Sequence, residues 1–357
     1  MTVQSVWREE EPLFARLRHQ KKPLVLYGMG DGADKLISAL AQYDLRPAGI
    51  FASDEFVRGQ NFHGLPVLTY AQAKERFGAM CVLVSFGTER PEVLARIRAL
   101  TQEQEVYAPH LPLFGGALFD EAFTAAHNSE LLAAADVWAD ELSRQVYENY
   151  LAYLWTGKPQ YLWAAESPRD AAWRLLNLQE DEVYLDLGAY DGDTVRDFLR
   201  LTDGRYQEIW ALEPDPKNYC KLVINCGNLR DFHALPLAIW SQDGSLPFAG
   251  RSGRNSAIKA DAKGKTAAVS LDGLWRGDMT APPTMIKFDV EGAEEQALLG
   301  AAKLLAARKS KLALAAYHRT EDIYRLPLLL MQMNPAYRLY LRHHPYIPGW
   351  ETNIYAL

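Results

Sequence analysis

Cysteine is scarce. Cys81, Cys220 and Cys226 are the only three in 357 residues and form no Cys-x-x-Cys pair, so neither a disulfide framework nor a zinc cluster is indicated and a reducing, cytoplasmic setting is expected. No apolar run approaches the roughly 18 residues that a membrane span needs. The opening Met1-Thr2-Val3-Gln4-Ser5-Val6-Trp7-Arg8, followed by Glu9-Glu10-Glu11, lacks the basic start and apolar stretch of a secretory leader. A soluble chain with no membrane partner is the expectation. Positive charge is also short: 38 Lys and Arg against 45 Asp and Glu leave a net charge of −7, too little cation to neutralise the phosphates of a nucleic acid.

The composition, 48% hydrophobic and 23% charged with 24 Gly and 19 Pro, is that of an ordinary globular protein long enough for two domains. Residues 1–118 carry balanced charge, so the acidic excess lies beyond them. The pattern predicts an α/β fold: two Rossmann-like parallel-sheet domains joined by a helical connector, with boundaries at 1–118, 119–180 and 181–357.

In the first domain, strands are predicted at Leu24–Tyr27, Ala48–Phe51, Met80–Val84 and Glu105–Tyr107, with helices to Tyr43, at Tyr70–Phe77 and at Pro91–Leu100. Gly28-x-Gly30-x-x-Ala33 follows a strand and opens a helix, and Asp54 lies some twenty residues on, which fits a dinucleotide fingerprint. Asp31 and Asp34 near the helix start oppose a pyrophosphate. Three uses stay open for this domain: binding a nucleotide-linked acceptor, binding a regulatory nucleotide at Gly28, Gly30 and Asp54, or a scaffold without ligand.

Between 119 and 180 apolar residues recur at helical spacing and no strand-like run occurs. The aromatics there, Trp138, Tyr147, Tyr150, Tyr153, Trp155, Tyr161, Trp163 and Trp173, are expected to be core packing rather than a binding wall.

Alternation restarts with strands at Val183–Leu187, Glu208–Leu212, around Ala234–Trp240, Leu246–Phe248, Ala267–Leu271, Met285–Val290 and Leu312–Tyr317. Helices are predicted at Thr194–Leu201, Pro216–Cys226, Ala293–Ala306 and Glu321–Met333. Two last strands, Tyr337–Arg342 and Thr352–Tyr355, flank a turn with Pro and Gly that suits antiparallel pairing. A parallel sheet closed by such a hairpin is the class I methyltransferase order.

Asp186-Leu187-Gly188-Ala189-Tyr190-Asp191-Gly192-Asp193-Thr194 stands where strand becomes helix, the place where open α/β sheets bind ligands. Its three aspartates would repel a pyrophosphate but suit a ligand bearing an ammonium and a sulfonium, such as S-adenosylmethionine. The next strand ends in Leu212-Glu213-Pro214-Asp215, where an acid can accept both hydroxyls of a ribose. A third strand end carries Ile286-Lys287-Phe288-Asp289-Val290-Glu291-Gly292-Ala293-Glu294.

With Tyr184-Leu185-Asp186-Leu187-Gly188-Ala189, Asp191-Gly192, Glu213-Pro214, Ala234-Leu235-Pro236-Leu237-Ala238, Asp243-Gly244 and Ala316-Tyr317-His318, this run resembles the FkbM family of S-adenosylmethionine-dependent methyltransferases. The resemblance covers about residues 180–357 and departs in Phe288, where a smaller aliphatic residue is usual. It implies a cofactor site from Asp186, Gly188, Tyr190, Asp191, Gly192, Glu213 and the stretch near Ala238, with Ala189, Thr194, Pro214 and Asp215 beside them. It also implies that Asp289 and Glu291 face the transferred methyl, and that the acceptor is a hydroxyl on a sugar or polyketide-like compound.

Methyl transfer to a hydroxyl needs alignment and removal of a proton. The candidates are His318 or Asp289 as base, Glu291 to orient the acceptor and Lys287 to pair with a neighbouring carboxylate. Asp289 and Glu291 have the alternative of capping the helix near Gly292. Metal assistance by Asp289, Glu291 and His318 is conceivable but nothing requires it, and no metal is expected; His343 and His344 point to opposite faces of a strand. The loop Gly250–Lys259 is basic, so Arg254, Ser256 and Lys259 are candidates for an anionic acceptor. The leading expectation is an O-methyltransferase acting on a small hydroxylated metabolite such as a sugar or nucleotide-linked sugar. The rivals are a nucleotide-dependent sugar oxidoreductase or epimerase and a non-catalytic sugar-nucleotide binder. Homo-oligomer formation is left open.

Overall fold

The computed structural model describes residues 7, 9–114, 116–249, 257–258 and 264–357. Six strands, β1 (Leu24–Tyr27), β2 (Gly49–Phe51), β3 (Asn61–Phe62), β4 (Leu65–Leu68), β5 (Cys81–Val84) and β6 (Glu105–Tyr107), form the first sheet in the order β3-β4-β2-β1-β5-β6. Every pairing in it is parallel except β3 with β4. β1 and β5 are buried along their whole length, as strands covered on both faces must be. The β3–β4 hairpin was not foreseen: it is short, and of its residues only Val67 is buried.

The connector is helical as expected, with helices Glu121–Ala126, Asn128–Ala135, Glu141–Thr156, Pro159–Ala165 and Arg169–Leu175. Asp140 caps the longest by accepting from Ser143 N at 2.8 Å, and Gly157 ends it in the left-handed region at φ 66°. Asp140 also accepts from Arg342 at 2.6 Å, which ties this helix to the last sheet. Trp138, Tyr147, Tyr150, Tyr153 and Trp155 are buried core. One continuous apolar cluster runs from Val82 through Tyr150 to Leu185 and Ile354, so all three segments share a core.

The large sheet has the order β16-β17-β15-β14-β7-β8-β9, from β7 (Val183–Leu187), β8 (Glu208–Leu212), β9 (Phe232–Leu235), β14 (Met285–Phe288), β15 (Lys311–Ala315), β16 (Leu339–His343) and β17 (Thr352–Ala356). Its first five strands in chain order are parallel, and β17 and β16 close it antiparallel. Asp186 is in register with Lys287, Lys287 with Ala313 and Ala313 with Tyr355, which places these four in one row on one face. The other face supplies Leu185, Ile286, Phe288 and Leu314 to the shared core.

A second, four-stranded sheet, missed from sequence, joins β10 (Ala238–Ile239), β13 (Gly264–Val269), β11 (Gly244–Ala249) and β12 (Ala257–Ile258) in that order. The single strand expected at Ala234–Trp240 is therefore two, split at Pro236, which has no N–H for a ladder. Leu271 starts a helix, Leu271–Gly277, because Ser270 Oγ caps Gly273 N at 3.1 Å. The helix expected at Ala293–Ala306 is broken into Glu294–Leu299 and Ala302–Ala307, with Gly300 pressed against the Trp240 carbonyl. β14 stops at Phe288, since Glu291 and Gly292 take positive φ values of 55° and 87° that no strand can hold.

Candidate active site

A crevice opens at the carboxyl ends of β7, β8 and β14, and Gly188, Tyr190, Glu213, Pro214, Ala238 and Asp289 all line it. Gly188, at φ 81°, lies so close to the Asp289 carbonyl that no side chain fits there. Tyr190 is left-handed at φ 49°, and this turns its N–H onto Glu213 Oε2 at 2.9 Å. Asp215 N donates to the other oxygen, Oε1, also at 2.9 Å. Burial pushes the Glu213 carboxyl up to about 7, although both backbone donors pull the other way. The carboxylate is thus fixed by main chain while each oxygen keeps a second lone pair.

Asp186 is fully buried and accepts from Thr194 Oγ1 at 2.5 Å. Lys287 sits 3.4 Å from Asp186 and 3.4 Å from Asp289, the neighbouring-carboxylate pairing expected of it. Burial opposes its charge, but these two carboxylates overcome that and hold the ammonium form well above its ordinary range. Asp186 in turn is raised by its own burial, against the pull of Lys287 and Thr194.

His318 is 2% exposed, with Nδ1 2.8 Å from Glu294 Oε1 and Nε2 3.5 Å from both Asp289 Oδ1 and Glu291 Oε2. Burial disfavours its charge, but Glu294, Glu291 and Asp289 outweigh that and raise the imidazole to about 10. These carboxylates favour the imidazolium form, which holds a proton rather than taking one. Glu294, to which the sequence reading gave no role, anchors the arrangement and also accepts from Val290 N at 2.8 Å. Neither Asp289 nor Glu291 is the N-cap residue of the helix Glu294–Leu299, a position that Ala293 holds. Asp289, Glu294 and His318 bring ligand-type atoms within 4.8 Å of one another, an approach that their own ion pairs produce.

Ala189, Asp191, Gly192 and Asp215 lie outside the lining of the crevice and make scaffold contacts. Ala189 is buried in the core and its N–H is spent on the Leu212 carbonyl. Asp191 pairs with Arg196 at 3.1 Å, and Gly192 packs against Cys226. Asp215 caps the helix Pro216–Cys226 through Lys217 N at 2.9 Å and Asn218 N at 3.2 Å. In the first sheet the Phe86 ring fills the space beside Gly28, and Gly30, at φ 103°, leads into the helix Asp31–Ala41. That helix start is acidic, with Asp31 paired to Lys35 at 3.0 Å and Asp34 to His63 at 2.6 Å, while Asp54 is exposed on a short turn. These glycines answer to packing and backbone shape, and a nucleotide at this domain gains no support. Arg254, Ser256 and Lys259 lie outside the described residues.

Sequence reasoning missed the far wall of the crevice, formed by Arg169, Trp173, Glu351, Asn353 and Tyr355. A signal existed only for Asn353 and Tyr355, which alternate toward one face of a strand; Arg169 and Glu351 are 182 positions apart.

Residues 186–347 match the family model of the methyltransferase FkbM domain. This part of the chain is an FkbM methyltransferase domain. The FkbM methyltransferase of Methylobacillus flagellatus KT has a similar structure, with 20% identity, 99% of this chain and 97% of that chain covered and a TM-score of 0.72. The likeness in fold therefore extends beyond the FkbM domain to the first sheet and the connector. Two further structures match about half of this chain. The precorrin-6y C5,15-methyltransferase of Geobacter metallireducens GS-15 shares 15% identity over 53% of this chain and 86% of its own, with a TM-score of 0.34. Aeropyrum pernix fibrillarin, in complex with natively bound S-adenosyl-L-methionine, shares 16% identity over 53% and 74%, with a TM-score of 0.34. No curated protein matches the sequence.

Proposed function

We propose that the chain transfers a methyl group from S-adenosylmethionine to a hydroxyl of a small metabolite of the sugar or nucleotide-linked sugar class. The observation that carries this reading is Glu213: a buried carboxylate held by two backbone N–H groups, with lone pairs left for a vicinal diol. The close approach of Gly188 to the Asp289 carbonyl supports it, since it brings the ends of β7 and β14 together in the crevice that both residues line. S-adenosylmethionine, when bound, supplies an electrophilic methyl on a cationic sulfur.

The chain's own residues supply alignment and a proton acceptor. Lys287 and His318, both cationic, hold Asp289 from two sides at 3.4 and 3.5 Å, which fixes its carboxylate at the crevice wall. Asp289 takes the proton of the acceptor hydroxyl. A carboxylate suffices as the base because the hydroxyl becomes acidic only as its oxygen bonds to carbon. Glu291, held by the same His318 nitrogen at 3.5 Å, orients the acceptor.

Calorimetry of the full chain with S-adenosylmethionine and S-adenosylhomocysteine, followed by release of S-adenosylhomocysteine in the presence of hydroxylated metabolites, tests the reading. Failure of both ligands to bind, or equal binding by Glu213→Ala, would refute it.

A further inference from the structure

The row Asp186, Lys287, Ala313, Tyr355 continues toward the carboxyl edge with Ala315 opposite Asn353. Between Lys287 and Asp289 on one side and Tyr355 and Asn353 on the other, β15 thus contributes only two methyl groups. The result is a hollow in the crevice beyond the Glu213 end, and Ala313 lines it. Arg169 and Trp173, four residues apart and so on one face of their helix, bring the connector to its edge.

The cations around the hollow are already outnumbered by carboxylates. Arg169 lies 2.6 Å from Glu351 and 4.0 Å from Asp197, and Lys287 lies between Asp186 and Asp289. Among the described lining residues, each cation therefore faces two carboxylates, and an anionic guest finds no spare positive charge. His344 Nδ1 lies 2.9 Å from the Ser167 carbonyl and must donate to it, so Nε2 accepts from the Tyr355 hydroxyl at 2.9 Å. Burial, which holds His344 down at about 4, agrees with this neutral tautomer. Tyr355 oxygen is left with acceptor capacity only, and the Asn353 amide offers both a donor and an acceptor.

Resting on the S-adenosylmethionine reading above, we infer that the hollow over Ala313 is the acceptor subsite. It takes an uncharged, hydroxyl-rich molecule, with Ala313 setting the size and the Arg169–Glu351 pair and Asn353 reading the hydroxyls. This places acceptor recognition on the connector and the terminal hairpin and, of the two acceptor classes proposed above, selects the free sugar over the nucleotide-linked one, whose phosphates are anionic.

The test uses the full chain with S-adenosylmethionine and a panel of uncharged methyl pyranosides beside their phosphate and uronate counterparts. S-adenosylhomocysteine release is expected with the uncharged glycosides and at least about tenfold lower kcat/KM with the anionic ones, in keeping with like-charge juxtaposition. Ala313→Leu should raise KM for the same glycoside at least about tenfold by overfilling the hollow, while cofactor affinity stays within about twofold. Asn353→Ala, which overfills nothing, should also raise KM and serves if Ala313→Leu does not fold. A preference for phosphate or uronate, an unchanged KM in both variants, or no turnover of any glycoside by cofactor-loaded protein would overturn the subsite and leave the cofactor reading standing. Failure of the unmodified chain to bind S-adenosylmethionine would overturn both.

Discussion

Glu294 and His318 meet at 2.8 Å with neither side chain exposed by more than 2%. One carboxylate thus fixes both the imidazolium and, through Val290 N, the loop that carries Asp289 and Glu291. His318 has a folded value of about 10 against an ordinary 6.5. Its contribution to stability is therefore fully present below about pH 6.5 and is lost as pH rises through about 10. Thermal melts from pH 6 to 10.5 should show falling stability at the alkaline end. Glu294→Gln should flatten that slope and move the His318 titration, followed by NMR, toward neutrality. An unchanged slope in the variant would contradict this account of the pair.

Glu213 is raised from 4.5 to about 7, so the folded state holds its proton more tightly than the unfolded chain. Stability from this group is present below about pH 4.5 and declines as pH rises through 7. Diol recognition needs the ionised carboxylate, so affinity for S-adenosylmethionine should increase from pH 5.5 to 8. Glu213→Gln should abolish that dependence and weaken binding about 10- to 100-fold, the loss of hydrogen bonds to a charged acceptor. Calorimetry at four pH values would decide it.

Gly188→Ala puts a methyl group into the Asp289 carbonyl at a backbone φ of 81°. The left-handed conformation and the collision together should cost about 2–4 kcal/mol and abolish cofactor binding. Gly244→Ala, where a Cβ meets nothing within 4 Å, is the control and should change stability by less than about 0.5 kcal/mol. Denaturant midpoints of the two variants measure the contrast.

The strands that place Asp186, Glu213 and Asp289 were legible because each is an apolar run ending in an acid or glycine. Their order in the sheet followed from alternation and the closing hairpin. Glu294 was visible in the same run as Asp289, yet its role depends on a histidine 24 residues away, and spacing does not reveal such a contact. The Arg169–Glu351 wall was hidden for the same reason. The use of Gly28 stayed open because a glycine required by a neighbouring Phe86 ring and one required by a phosphate look alike in sequence. Gly300 was read as helix interior because nothing local tells of the Trp240 carbonyl packed against it.

The charge balance and restart of alternation near residue 181 suggest that residues 181–357 form a separable unit, but the packing argues otherwise. Phe114 lies edge-on to the His318 ring with centroids 5.6 Å apart and sits 2.8 Å from where a Cβ on Gly292 would be. Leu113 N donates to the His318 carbonyl at 3.2 Å. On the opposite side Tyr150 and Tyr153 close against Gly349, and Arg342 is bound to Asp140. Cutting at residue 180 would bare all these surfaces and leave Arg342, 6% exposed, without its carboxylate. The fragment 181–357 should therefore show no cooperative thermal transition and no measurable affinity for S-adenosylmethionine, whereas the full chain should melt in a single transition. A fragment that melts cooperatively and binds the cofactor as the full chain does would show that the shared core is dispensable to the site.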